Sequence, residues 1–151
     1  FCCPLLLQVA ADIRSAFPRL YSDLIFSSCW SFKYYEKESG DGLHGDSGLR
    51  NLNLWLTPDD ANLDTNTGGL TFWDKKVPLL EIQNSPKEKS IEIMRNIISE
   101  PNTKATKVPY KGNRAGLFES NIIHCTDTLN FKPGYENRRI NITFAYGMPD
   151  Y

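Results

Sequence analysis

The chain has 151 residues, a net charge of −1, and a composition that is 40% hydrophobic, 12% aromatic and 23% charged. That length suits one domain with a buried core, and the profile is that of an ordinary globular protein rather than a disordered or fibrous one. The near-neutral balance supplies no basic field for nucleic acid, although a local patch can act without a global bias.

The chain opens on Phe1, so it reads as residues 1–151 of a single domain trimmed at its N-terminus. The apolar run from Pro4 to Ala11 is too short to span a membrane and lacks the basic flank of a signal peptide. Cys2, Cys3, Cys29 and Cys125 form no regular framework, which predicts reduced thiols in a cytoplasmic protein. Residues 4 to about 17 predict a helix, with Leu6, Val9, Ile13 and Phe17 near helical spacing and Pro18 as its limit. It is expected to pack over a sheet.

Leu24 to Glu36 turns aromatic and β-prone, with Trp30, Phe32 and Tyr34 on one parity. A polar turn over Glu38–Gly42 follows, with Asp41 as a turn former. Arg50 to Thr57 alternates strictly: Leu52, Leu54 and Leu56 on one side, Asn51, Asn53 and Trp55 on the other. Gly68-Gly69 introduces a short strand where glycine permits close backbone approach. Ser85, Pro86 and Glu88 resemble the start of a capped helix, and Ile91, Met94, Ile97 and Ile98 mark its buried face. Strands resume at Lys104–Tyr110, Arg114–Phe118, Ile122–Cys125 and Arg138–Tyr146. About eight short strands with turn signals predict an all-β sandwich or barrel, for which a double-sheet jelly roll is one solution.

The chemistry centres on Leu43-His44-Gly45-Asp46. In an extended segment residues i and i+2 point the same way, so His44 and Asp46 can face one ion. His124 is the only other histidine. Two imidazoles and one carboxylate form the facial triad that holds non-haem Fe(II) with open positions. Taken alone, a His-x-Asp is also a common surface hydrogen-bonding pair. In the last strand Ile140, Ile142 and Phe144 share one parity and Arg139, Asn141, Thr143 and Ala145 the other. The first face should pack under helices and the second should line a pocket. Arg139 then points inward, where its planar fork can hold a carboxylate. A β-bulge would hand that place to Arg138. Asn51, Asn53, Trp55 and Tyr34 are further inward candidates. Cys125 should face away from His124, and Asp127 reads as a supporting or surface residue.

The ordered set His44-Gly45-Asp46, Asn51–Pro58, Gly68-Gly69-Leu70, Val108-Pro109-Tyr110, Asn113-Arg114, Phe118-Glu119-Ser120, His124, Phe131–Tyr135 and Arg138–Thr143 resembles the Fe(II)- and 2-oxoglutarate-dependent dioxygenases. The likeness is to a bacterial and environmental branch, distantly similar to the prolyl-hydroxylase-like and phytanoyl-hydroxylase-like oxygenases. It runs from about Trp30 to Gly147. The resemblance implies a double-stranded β-helix (a cupin-like jelly roll) with an N-terminal packing helix and one inserted helix. It implies that His44, Asp46 and His124 bind Fe(II), and that Arg139 pairs with the distal carboxylate of the cosubstrate 2-oxoglutarate. Asn141 sits where many members carry a serine that also bonds that carboxylate. The implied reaction consumes dioxygen, releases succinate and CO2, and usually hydroxylates a small molecule or a protein side chain. No nucleic-acid or membrane partner is implied. Two other readings stay open: a cupin-like metal enzyme that does not use 2-oxoglutarate, and a non-catalytic jelly-roll binding module.

Overall fold

The computed structural model describes residues 3–35, 37–82 and 85–148. Cys2 and Glu36, both named above, lie outside the described residues. Among the described residues seven antiparallel strands form two sheets: β1 (Ile25–Lys33), β2 (Arg50–Trp55), β3 (Leu70–Lys76), β4 (Ala105–Val108), β5 (Ala115–Glu119), β6 (Ile122–Thr126) and β7 (Ile140–Gly147). The larger sheet runs β1-β7-β2-β5 and the smaller β4-β3-β6. The fold is mostly β and jelly-roll-like. Where about eight strands were expected, the segment through His44 instead contributes an isolated bridge opposite His124.

The first helix forms as the spacing predicts, as α1 (Pro4–Ala16). Pro18 stops it and opens a separate turn, α2 (Pro18–Tyr21), with proline at the N-terminal position where its missing N–H costs nothing. α1 buries Ala10 and Ile13 against Leu52, Phe144 and Tyr146 of the larger sheet. Burying side chains such as Leu52 and Phe144 stabilises the fold by about 2 kcal/mol each. The Tyr146 hydroxyl ties the layers by donating to the Ala10 carbonyl at 2.9 Å.

Alternation holds along β2, but the strand ends at Trp55 and Leu56 is 45% exposed. The chain leaves the sheet at Pro58, which has no N–H for a ladder, and enters a 3₁₀ turn at Asp59–Ala61. The capping reading of Ser85 fails. Its hydroxyl donates to the Glu81 carbonyl of a short helix, α3 (Leu79–Ile82), that the sequence did not announce. α4 (Lys87–Ile98) has Pro86 at its cap, with no side-chain cap bond. Its apolar face does bury as expected, with Met94 and Ile91 against Val77, Ile123 and Trp73. Among the described residues no helix is long and apolar enough to cross a membrane.

Candidate metal and carboxylate site

His44 and His124 are directly opposed across an antiparallel bridge and exchange both backbone hydrogen bonds, at 3.0 and 2.9 Å. Opposed residues of such a pair project to the same face, and their rings lie 4.3 Å apart. Asp46 is pinned next to them because its N–H donates to the Ser120 carbonyl at 2.7 Å. One donor atom from each of His44, Asp46 and His124 falls within 4.8 Å of the others.

The tautomers are fixed by backbone. Nδ1 of His44 is 2.6 Å from the Gly42 carbonyl, and Nδ1 of His124 is 2.9 Å from the Ile122 carbonyl. A carbonyl only accepts, so Nδ1 carries a proton in each ring, and in the neutral form the lone pair is on Nε2. Both Nε2 atoms face Asp46, one opposite each carboxylate oxygen, at 3.6 Å. Burial, then the neighbouring His124, pulls the His44 pKa down, against smaller upward effects from Gly42, Asp46 and Asp41. For Asp46, burial alone would raise the carboxyl. His124, His44 and the Asn51 amide together outweigh it, and the net shift is downward. Two imidazoles in their neutral form with one carboxylate would be the donor set that a divalent transition metal requires.

Asp46 is held from behind. Asn51 Nδ2 donates to Asp46 Oδ2 at 2.6 Å, and Ser120 Oγ donates to Asn51 Oδ1 at 2.8 Å. Asn51 and Ser120 are both fully buried. Alternation along the strand places Asn51 inward, but nothing in the sequence singles out Ser120 as its partner. A polar residue on the same strand face as the buried Trp55, as Asn51 is, is the signal that something there must be satisfied.

Arg139 is 1% exposed, and alternation places it inward as expected. Its Nε donates to the Gly68 carbonyl at 2.6 Å and its Nη1 to Asn141 Oδ1 at 2.8 Å, while Nη2 is buried with no partner among the described residues. Tyr34, Trp55 and Tyr110 surround the guanidinium at 5.2, 5.9 and 5.8 Å. Burial pulls the Arg139 pKa down, offset by Tyr34, Tyr110, Asp41 and Asp127, but a guanidinium stays charged at neutral pH. Gly68 has φ +78°, a conformation that suits glycine, and its carbonyl is the Nε acceptor. Arg138 lies on the other parity, stacked over Tyr35 at 4.1 Å.

One small cavity, of about 20 Å³, joins these groups. His44, Asp46, His124, Arg139, Asn141, Thr143 and Asn53 all line it. Asn53 Nδ2 donates to Thr143 Oγ1 at 2.7 Å, while its Oδ1 is buried without a partner. Trp30, Phe32, Tyr34 and Asp41 line it too. Asp41 does more than form a turn, since its Oδ2 accepts the Tyr34 hydroxyl at 2.6 Å. Trp55 packs in the core, stacked on Tyr110 at 5.4 Å. Cys125 lies outside the cavity wall, and Asp127 is engaged by Thr71 and Lys107.

The fold is shared with solved structures, one of which holds nickel and 2-oxoglutarate. HygX from Streptomyces hygroscopicus, solved with nickel and 2-oxoglutarate bound, superposes with a TM-score of 0.56 at 15% identity, over 99% of this chain and 69% of HygX. EvdMO1 matches with a TM-score of 0.54 at 15% identity, over 91% of this chain and 30% of EvdMO1. This chain therefore spans under a third of the EvdMO1 length. No family model and no curated protein matches the sequence.

Proposed function

We propose that the chain is an Fe(II)- and 2-oxoglutarate-dependent oxygenase, a single double-stranded β-helix domain that hydroxylates a substrate and releases succinate and CO2. The observation that carries this is Arg139 Nη2. It is a buried cationic donor without a partner, in the same cavity as three converging ligand atoms. An unpaired buried donor on a charged group is costly, which argues that a ligand anion completes it. HygX, bound to nickel and 2-oxoglutarate in the same fold, supports that assignment.

In this reading His44, His124 and Asp46 hold Fe(II). Arg139 holds the distal carboxylate of 2-oxoglutarate, with Asn141 beside it. The bound iron, cosubstrate and dioxygen supply the oxidising chemistry. The chain's own residues do the positioning. Asn51 and Ser120 fix the Asp46 carboxylate, the Gly42 and Ile122 carbonyls fix both imidazoles, and Gly68 and Asn141 fix the guanidinium plane. Tyr34, Trp55 and Tyr110 exclude water around Arg139, which strengthens its pairing with an anion. The substrate is a small molecule or a protein side chain that reaches the cavity past Trp30 and Phe32.

The test is an anaerobic titration with Fe(II) or Ni(II), followed by 2-oxoglutarate, and then an assay for succinate on admitting oxygen. Saturable 2-oxoglutarate binding that requires the metal, with slow uncoupled succinate release, is expected. Metal-loaded protein that does not bind 2-oxoglutarate would overturn the reading.

A further inference from the structure

Resting on that oxygenase reading, we propose that the substrate brings an organic ammonium group to the cavity, held by Asp41 against the rings of Trp30 and Phe32. Trp30, Phe32 and Tyr34 alternate along one face of β1 and its continuation, and all three line the same cavity as the candidate metal ligands. Two of these rings are not packed away. Phe32 is 43% exposed and Trp30 is half-buried. Tyr34 is buried and already carries the Arg139 guanidinium, so the aromatic faces left open are those of Trp30 and Phe32.

Asp41 supplies the charge. It lines this cavity, and its one side-chain hydrogen bond among the described residues is the one it accepts from Tyr34 at 2.6 Å. That bond fixes one carboxylate oxygen and leaves the other with its acceptor capacity. Among the described residues Asp41 forms no ion pair, whereas Asp46 is flanked by both imidazoles.

The balance of charge over the cavity gives the sign. Its charged side chains are Asp41, Asp46 and Arg139. A divalent metal and the 2-oxoglutarate dianion cancel, and Arg139 offsets one carboxylate. The loaded site then retains one negative charge, and Asp41 is the carboxylate outside the metal triad. A partly enclosed negative cavity concentrates cations and repels anions, and open aromatic faces stabilise a cation further. A carboxylate substrate would meet repulsion, and a neutral one would leave Asp41 without a counter-ion. An alkylammonium satisfies both features.

The experiment uses protein loaded with Ni(II) and 2-oxoglutarate, which does not turn over, titrated by calorimetry with matched pairs. Choline is set against 3,3-dimethylbutan-1-ol, and 1-aminohexane against 1-hexanol. At least one cation should bind about 10-fold more tightly than its neutral twin. That gap should close in Asp41→Asn, which keeps an oxygen for the Tyr34 hydroxyl. It should narrow in Trp30→Leu, which keeps the charge. Circular dichroism and a separate Ni(II) titration check that each variant is folded. Neutral twins binding as tightly as the cations would overturn the proposal, as would a gap that persists in a folded Asp41→Asn. Should that variant not fold, an undiminished gap in Trp30→Leu has the same force. A lysine-containing tripeptide tests the source: binding like 1-aminohexane assigns the ammonium to a protein side chain, and much weaker binding assigns it to a free amine. Failure of the wild-type protein to bind Ni(II) or 2-oxoglutarate is read independently and takes both readings down, whereas intact loading without a cation preference removes this one alone.

Discussion

Asn51 donates from Nδ2 to Oδ2 of Asp46 across 2.6 Å, from a position with no solvent exposure. Asp46 therefore has its orientation set from outside the cavity, while its carboxylate faces both imidazole Nε2 atoms. Asn51→Ala removes that donor and strips Ser120 of its acceptor. Metal affinity should fall about 10- to 100-fold, as is typical when a partner that orients a ligand is lost. Stability should fall by about 1–3 kcal/mol, because a buried hydroxyl is left unsatisfied. Calorimetric Ni(II) titration and urea unfolding measure the two effects separately. Unchanged Ni(II) affinity would show that Asp46 is oriented without this amide.

The two candidate histidines should differ in what they do for the fold. The His124 side chain is 4% exposed and packs between Phe72 and Phe118 at ring distances of 5.7 and 5.0 Å, while that of His44 is 35% exposed. Alanine at either position should abolish metal binding. His124→Ala should also cost about 2 kcal/mol or more of metal-free stability, as truncations in a packed core do. His44→Ala should cost under about 1 kcal/mol, chiefly the Nδ1–carbonyl bond. Unfolding the metal-free variants in urea makes the comparison, and equal losses would count against the packing argument.

What the sequence disclosed about this site follows from strict alternation and scarce residue types. With only two histidines, and with Arg139 opposite in parity to Ile140 and Ile142, alternation picked out inward candidates, and the resemblance to a known family supplied the expectation that they meet. The supporting bonds were not legible. The partners of both Nδ1 atoms are backbone carbonyls, at Gly42 and Ile122, and every residue carries one. The Ser120–Asn51–Asp46 relay depends on which strands pair, and β2 pairs with β5 just before the Ser120 turn. Ser85 failed as a cap for a related reason. A hydroxyl takes whichever backbone acceptor is nearest, and α3, unmarked by periodicity because it is so short, put the Glu81 carbonyl there.

Alkaline titration should reveal the buried tyrosines. Burial is the largest cause that raises the pKa of Tyr21, Tyr34, Tyr110 and Tyr146, and for Tyr34 the hydrogen bond to Asp41 adds to it. A phenol whose folded pKa is raised contributes nothing that changes with pH below its unfolded value of about 10. Above that, the unfolded chain loses its protons first, so stability falls as pH rises. Unfolding free energy should be flat with respect to these groups from neutrality to about pH 10 and decline beyond it. Tyr34→Phe should start lower at pH 7, having lost the bond to Asp41, and decline less steeply. Urea unfolding at a series of pH values checks the slope, and the rise in tyrosinate absorbance of the native protein checks that these phenols titrate late.

Arg139 and Arg138 provide the sharpest contrast, because they are adjacent in sequence and opposite in surroundings. Arg139 is committed at Nε and Nη1 and, among the described residues, free at Nη2, so it presents a donor nitrogen with two N–H groups in a plane that Gly68 and Asn141 have already fixed. Lysine at 139 keeps the charge but cannot meet Gly68, Asn141 and a ligand carboxylate in one plane. Losing a charge-assisted bond of this kind costs about 1.5–3 kcal/mol, so Arg139→Lys should weaken 2-oxoglutarate binding about 10- to 100-fold. Arg138 stacks on Tyr35 and Tyr135 outside the cavity, and Arg138→Lys should leave that affinity within about 2-fold, as for a residue with no ligand contact. Thermal denaturation reports the same result without turnover. Ligand at about 100 times its dissociation constant stabilises the folded state by about 2.7 kcal/mol, and that gain should persist in the Arg138 variant and shrink in the Arg139 variant. The reverse pattern would mean that the chain slips register at the start of β7 and that the carboxylate anchor is Arg138.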